Sequence, residues 1–338
     1  MPRTRRRPAP RPAAAPVTGR GGPSRAAARR TARIAATVGS LLVAVVAGLF
    51  SFGWWQFGRI DKVAVSSLSA SGRGGTNYLI VGSDSRRGVD PSAPNAGAFL
   101  GEAVSGERTD TIIVLRVEGS KSSLLSIPRD LWVKNPVTGE MGRINSVYQS
   151  GPAALVRAVR DLGIPVQHYL QIDFVSFAKL VDAVGGITVQ FPHPARDTHS
   201  GLDVPKAGAV TLDGAQALAY VRSRYYEELV DGVWRTDPTA DLGRVERQRE
   251  FLQALMNRMA STRNPWTLAR LASAMGGGMR IDDRLTYFDA LGLLWNLRGG
   301  FRPESFTLPV TNRTTSGGAA VLDLDVARAR PLISRFGG

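Results

Sequence analysis

Cysteine is absent from this 338-residue sequence, which excludes disulfides, thiolate metal sites and a cysteine nucleophile. G-x-S-x-G, the P-loop and H-E-x-x-H are missing as well. The serine-hydrolase, P-loop NTPase and zinc-protease templates therefore do not apply. The histidines, His168, His193 and His199, lack metal-ligand spacing and read as surface residues. Residues 1–33 contain no acid, and here the absence points to something present, because they hold ten arginines. Without them the net charge of +15 falls to +5 over the other 305 residues. The strong basicity belongs to a tail, not to a folded domain.

That tail (1–33) is rich in Pro, Ala and Gly without apolar periodicity and predicts no fixed structure. It is followed by Ile34–Gly53, twenty residues without a charge. As a helix this run spans about 30 Å, the thickness of a bilayer core. Trp54, Trp55 and Phe57 follow where an interfacial aromatic belt belongs. The reading is a retained transmembrane helix over 34–57, cell-membrane localisation, a cytoplasmic N-terminus and an extracytoplasmic domain. Residues 58–75 read as a juxtamembrane connector and 76–338 as the domain itself.

Within that domain Tyr78–Val81 is an apolar strand ending at Gly82. Thr111–Val117 and Lys121–Ile127 form a hairpin through Glu118-Gly-Ser120, and 88–106 reads as a long loop. Helical spacing covers 151–162, 174–184, 241–260, 265–274 and 286–297, and Asp213 caps a helix over 215–221. Ile187–Phe191 and Phe306–Val310 are further strands, and the acidic stretch 227–241 reads as a solvated insertion. The expected fold is a single three-layer α/β domain, a mixed central sheet flanked by helices.

Charged clusters recur at strand and helix ends. They are Ser83-Asp84-Ser85-Arg86-Arg87, Glu107-Arg108-Thr109-Asp110, Ser126-Ile-Pro-Arg129-Asp130, Tyr220-Val-Arg222-Ser-Arg224 and Gly243-Arg244-Val-Glu-Arg-Gln248. Any one of them fits a surface ion pair. Five in a domain of modest excess charge fit a phosphate site, because arginine matches phosphate bidentately. Asp84 and Asp110 are the natural ligands for a divalent cation, which needs one or two carboxylates besides phosphate oxygens and water.

The order of these motifs, with Tyr169-Leu-Gln-Ile-Asp-Phe174 and Val184-Gly-Gly-Ile187 between them, resembles the LytR-CpsA-Psr family over roughly 76–260. The resemblance implies a phosphotransferase that moves a glycopolymer, such as teichoic acid, from an undecaprenyl (polyprenyl) pyrophosphate carrier to a peptidoglycan hydroxyl. It implies Mg2+ or Mn2+ on Asp84 and Asp110. Arg86, Arg108, Arg129, Arg143, Arg222, Arg224, Arg244 and Gln248 would then grip the pyrophosphate, with Asp130 supporting. Arg143-Ile-Asn145 stands where members often have Lys-Ile-Asn. The alternatives are a polyprenyl-pyrophosphate hydrolase, a non-catalytic glycopolymer-binding module and a membrane-bound transcriptional regulator. The last is disfavoured because the arginines precede the span and no helix-turn-helix signal follows, so no specific nucleic acid partner is expected.

Overall fold

The computed structural model describes residues 25–70, 74–83, 109–238, 241–262, 264–275, 278–297 and 300–337. Contacts divide the chain into Met1–Phe50 and Ser51–Gly338. The first element is helix α1 (Arg25–Phe57). It takes in residues 25–33, read above as unstructured tail, because RAAARRTAR is made largely of the strong helix formers Ala and Arg. Several side chains between 34 and 42 lie outside the described residues, and among those described no helix is long and apolar enough to cross a membrane.

The first strand of the second unit is β1 (Asp61–Val63), inside the stretch read as a connector, which also buries Ile60, Val65 and Leu68. Strands β2 (Thr76–Ser83), β3 (Thr109–Glu118) and β4 (Lys121–Ser126) pair antiparallel in succession. A small hairpin of β5 (Trp132–Lys134) and β6 (Met141–Arg143) leads into short helix α2 (Ile144–Val147) and then α3 (Pro152–Asp161). Pro152 sits in the first turn of α3, where its missing N–H costs nothing. β7 (His168–Asp173) passes directly into α4 (Phe174–Ala183), whose first turn is capped by Asp173 accepting from Ser176 N at 2.8 Å.

After α4 the chain turns at Gly185-Gly186. A Cβ on Gly186 (φ 85°) would lie 2.7 Å from Thr211 Cγ2 and 2.8 Å from Leu212 O, so only glycine fits. β8 (Ile187–Phe191), β9 (Ala195–Asp197), β10 (Leu202–Val204) and β11 (Gly208–Leu212) follow, with β8 paired to β11 and β9 to β10. A capping box of Asp213 and Gln216 starts α5 (Gly214–Arg222).

The acidic stretch expected as a solvated insertion is instead a hairpin, β12 (Glu227–Val230) and β13 (Val233–Thr236). β12 pairs with β9 and so joins it to a four-stranded sheet. The chain continues through α6 (Asp241–Ser261), α7 (Pro265–Met275), β14 (Met279–Asp282) and α8 (Tyr287–Leu297). β15 (Glu304–Thr307), β16 (Val310–Thr314), β17 (Ala320–Leu324) and α9 (Val326–Arg335) complete it. The single strand expected over 306–310 is split at Leu308-Pro309, since Pro309 has no N–H to donate to a ladder.

The central sheet has seven strands in the order β1-β14-β7-β2-β3-β4-β15. Alternation sends Leu79, Val81, Ile112, Val114 and Leu125 to one face, against Ile144, Leu155, Val159 and Ala329 from α2, α3 and α9. Tyr78, Ile113, Leu115 and Leu124 take the other face, with Leu252, Met256 and Leu293 of α6 and α8 packed against them. Helices thus cover both faces, as expected for three layers. A separate core joins α4, α5, α6 and α7 around Leu180, Val181, Ala217, Phe251 and Leu271. Each fully buried Leu or Ile adds roughly 1.5–3 kcal/mol.

Candidate active site

Strand direction collects the charged motifs along one edge. β2, β4, β7 and β15 run parallel to one another, and β3 and β14 run against them. The carboxyl ends of four strands and the beginnings of three, β1 among them because it runs parallel to β14, therefore share an edge, the place where α/β sheets form ligand crevices. Ser83, the last residue of β2, is opposite Asp173 on β7 and Thr109 on β3. Buried polar groups fix this corner: Tyr169 Oη donates to Gln171 Oε1 at 3.1 Å, and Gln171 Nε2 donates to Ser83 Oγ at 3.0 Å. Burial pushes the Asp173 carboxyl up, against the lowering effect of the Ser176 hydrogen bonds and of Lys179 and Arg280.

Asp84, Arg86 and Arg108 lie outside the described residues, as does the loop expected over 88–106. Asp110 is described only through its backbone, which is informative. The register passes from Gly82↔Thr111 to Ser83↔Thr109, so Asp110 is the extra residue of a β-bulge. Bulges re-aim a side chain and recur beside active sites. Among the described residues no group of three or more acids and histidines forms a metal site.

At the exit of β4, Asp130 lies between two arginines. Its Oδ2 is 3.4 Å from Arg129 Nε and its Oδ1 3.3 Å from Arg143 Nε. The backbone holds this group from two sides: Asn145 N donates to Arg129 O at 3.2 Å and Leu322 N to Asp130 O at 3.1 Å. Arg143 Nη2 also donates to Ala320 O at 3.0 Å. Beside this trio opens a cavity of about 350 Å³, lined by Trp132, Arg143, Asn145, Ser146, Gln149 and Ala319.

The second group forms where α5 ends and α6 begins. Arg222 lies with its guanidinium carbon 4.5 Å from the ring centre of Phe174, the residue that follows β7. This places Arg222 at the same strand edge. Arg244, in the first turns of α6, is 4% exposed. Gln248 Nε2 donates to Val221 O at 3.0 Å, so the amide expected to hold ligand ties α6 to α5. Arg247 does the same more firmly. It donates to Ser223 O at 3.1 Å and to Asp237 Oδ2 at 2.8 Å, and it lies 4.5 Å from the Tyr226 ring centre.

The residue that fixes the Arg222–Arg224 turn is Asp197. It is 1% exposed. Oδ2 accepts from Ser223 Oγ at 2.7 Å and from the amides of Arg224 and Tyr225 at 3.0 Å each. Oδ1 accepts from the amides of His199 and Ser200 at 2.9 and 3.2 Å. Burial pushes this carboxyl up, but the bonds from Ser223, Tyr225, His199 and Ser200 outweigh it and leave it below its ordinary value. Only the turn signature Asp-Thr-His-Ser-Gly was visible in sequence, since three of the five donors come from 26 to 28 residues on. His168 departs from the surface reading: it stacks on Tyr78 and its Nδ1 lies 3.2 Å from buried Asp282 Oδ2.

The LytR_cpsA_psr family model matches residues 56–331. The cell wall biosynthesis protein LcpA of Corynebacterium glutamicum is 32% identical over 335 residues, 85% of this chain and 62% of that protein. This chain therefore spans about three fifths of the length of that curated relative. The polyisoprenyl-teichoic acid–peptidoglycan teichoic acid transferase TagV of Bacillus subtilis is 30% identical over 290 residues, 80% of this chain and 68% of that protein. Among solved structures, a LytR-Csp2A-Psr enzyme from Actinomyces oris superposes with a TM-score of 0.63 at 28% identity. It covers 82% of this chain and 96% of its own.

Proposed function

The chain belongs to the LytR_cpsA_psr family, and from that premise we propose that it transfers a glycopolymer from a polyprenyl pyrophosphate carrier to a peptidoglycan hydroxyl. The observation that carries this reading is the convergence of Arg129, Arg143 and Arg222 with the Asp110 bulge on the carboxyl edge of one sheet. Phosphoryl transfer asks a protein for alignment and charge neutralisation more than for covalent chemistry. Guanidiniums anchored by Asp130, by Phe174 and by the backbone are suited to both tasks.

In the proposed reaction an acceptor sugar oxygen attacks the phosphorus next to the polymer. The phosphorus–oxygen bond to the prenyl phosphate breaks, that phosphate leaves with the electron pair, and the acceptor's proton is released. Arg222, Arg224 and Arg244 hold the pyrophosphate oxygens, while Arg129 and Arg143, aligned by Asp130, hold the phosphate that is transferred. Asp84 and Asp110 would hold Mg2+ or Mn2+. In support, they follow Ser83 and Thr109, which are cross-strand partners. The ion would supply positive charge against the developing charge on the phosphates. The charge-free run Ile34–Gly53 anchors the chain, with the catalytic domain outside the cell.

The test is a transfer assay with the full chain, a prenyl-pyrophosphate-linked glycopolymer, peptidoglycan and Mg2+. The expected result is polymer bound covalently to peptidoglycan. Arg222→Ala and Arg224→Ala should each lower kcat/KM about 10- to 100-fold, the value of a charge-assisted hydrogen bond. Release of prenyl phosphate without attachment to peptidoglycan would replace the transferase by a hydrolase.

A further inference from the structure

The 350 Å³ cavity beside Asp130 and Arg143 has a chemistry of its own. Its floor and walls follow from the local fold. Ile144, Val147 and Tyr148 of α2 and the 3-10 turn after it are buried. Residues 145, 146 and 149 therefore turn to the opposite side and line the opening. Among the described residues the side-chain amides of Asn145 and Gln149 make no hydrogen bond, so both keep donors and an acceptor for a ligand. Ser146 Oγ donates to Arg143 O at 2.6 Å, which leaves its lone pairs free to accept. Trp132 lines the same space, with the Arg313 guanidinium carbon 5.6 Å from its ring centre.

Among the described residues that line the space there is no carboxylate. An indole, two amides, a hydroxyl and one guanidinium suit a neutral ring with an apolar C–H face and hydroxyls around its rim. They do not suit a second phosphate, which would draw several cations, nor a prenyl chain, which would leave the amides unpaired. We propose that this cavity is a saccharide subsite. It holds a pyranose ring against Trp132, with Asn145 and Gln149 on its hydroxyls, and Arg143 shared with the phosphate site. The assignment rests on the transferase reading for what lies next door. Two sources offer the same ring chemistry, the glycan of peptidoglycan and the sugar attached to the carrier.

The experiment is calorimetric titration of the purified full chain in detergent with three probes. These are a peptide-free peptidoglycan disaccharide, a short-chain prenyl pyrophosphate carrying one N-acetylhexosamine, and the same prenyl pyrophosphate without sugar. Trp132→Ala and the pair Asn145→Ala/Gln149→Ala should weaken one sugar probe tenfold or more and leave the sugar-free probe unchanged. Trp266→Ala, at an indole 77% exposed elsewhere, should change nothing. Loss for the disaccharide makes the cavity the acceptor subsite, and loss for the carrier-linked sugar makes it the donor subsite. Sugar binding that survives in both variants overturns the proposal. If Trp132→Ala lowers the melting temperature, the amide pair decides, since Gln149 is exposed and supports no core. A wild type that binds the sugar-free probe but neither sugar overturns this inference alone. One that binds none of the three overturns the phosphate site as well.

Discussion

Changing Asp197 to asparagine keeps the shape of the side chain and removes half of its accepting power. One of the two positions becomes an NH2 group facing N–H donors. If the remaining carbonyl stays with Ser223, Arg224 and Tyr225, the amides of His199 and Ser200 lose their acceptor. Two stranded donors at about 1–3 kcal/mol each give a loss of roughly 2–5 kcal/mol after partial relaxation. At about 2–4 °C per kcal/mol for a domain of this size, the melting temperature falls by roughly 4–20 °C. The pH dependence separates charge from shape. The Asp197 carboxyl is held below its ordinary value, so its contribution is complete above the unfolded pKa of about 3.9 and is lost as pH falls through the folded pKa. Thermal melts followed by circular dichroism from pH 7 downward should show the gap between wild type and Asp197→Asn closing below about pH 4. Equal melting at pH 7, or a gap that stays open in acid, would refute the account of this clasp.

Asp282 provides a second case. It is fully buried, takes bonds from the amides of Tyr169, Arg284 and Leu285 at 2.9, 3.0 and 2.9 Å, and is held below its ordinary pKa despite burial. Asp282→Ala should cost about 3–5 kcal/mol in denaturant unfolding at pH 7, and less as pH falls below about 4. Gly186→Ala should destabilise by about 2 kcal/mol or more, because the new methyl meets backbone at Leu212 O. Gly119→Ala (φ 58°), with open space around it, should cost only about 1 kcal/mol, the price of the left-handed conformation. Arg222→Lys keeps the charge over Phe174 but loses the fork. Binding of a short-chain prenyl pyrophosphate should weaken about tenfold, and an unchanged Kd would remove Arg222 from the phosphate site.

Elements that announce themselves locally were legible in the sequence. β2, β3 and β4 carry their apolar runs, α4 its helical spacing up to Gly185-Gly186, and α5 its Asp213 cap. β1 and β14 were missed because three or four residues hold too little pattern, and their partners lie far off in sequence: β14 for β1, and both β1 and β7 for β14. The hairpin β12–β13 was hidden by its acids, Glu227 and Glu228, although Arg196 neutralises one of them at 2.8 Å. For the site, the arginine motifs were legible because each stands next to a turn or a helix end. The supports were not: Asp197, Phe174 and Arg247 look ordinary until the fold brings donors, a cation or a carbonyl to them.

The order of the central strands also sets a timetable for synthesis. β4 ends at Ser126, but its outer neighbour β15 begins at Glu304, and β7 waits for β14 at Met279. At ~5–20 residues per second the roughly 180 residues between β4 and β15 take about 9–36 s to appear. Throughout that interval the β4 edge stays bare, and the β7 edge is bare from the synthesis of β7 until β14 follows, each a template for pairing with another chain. A chain cut short before residue 304 would keep the β4 edge open permanently, so truncations there should aggregate rather than merely lose activity.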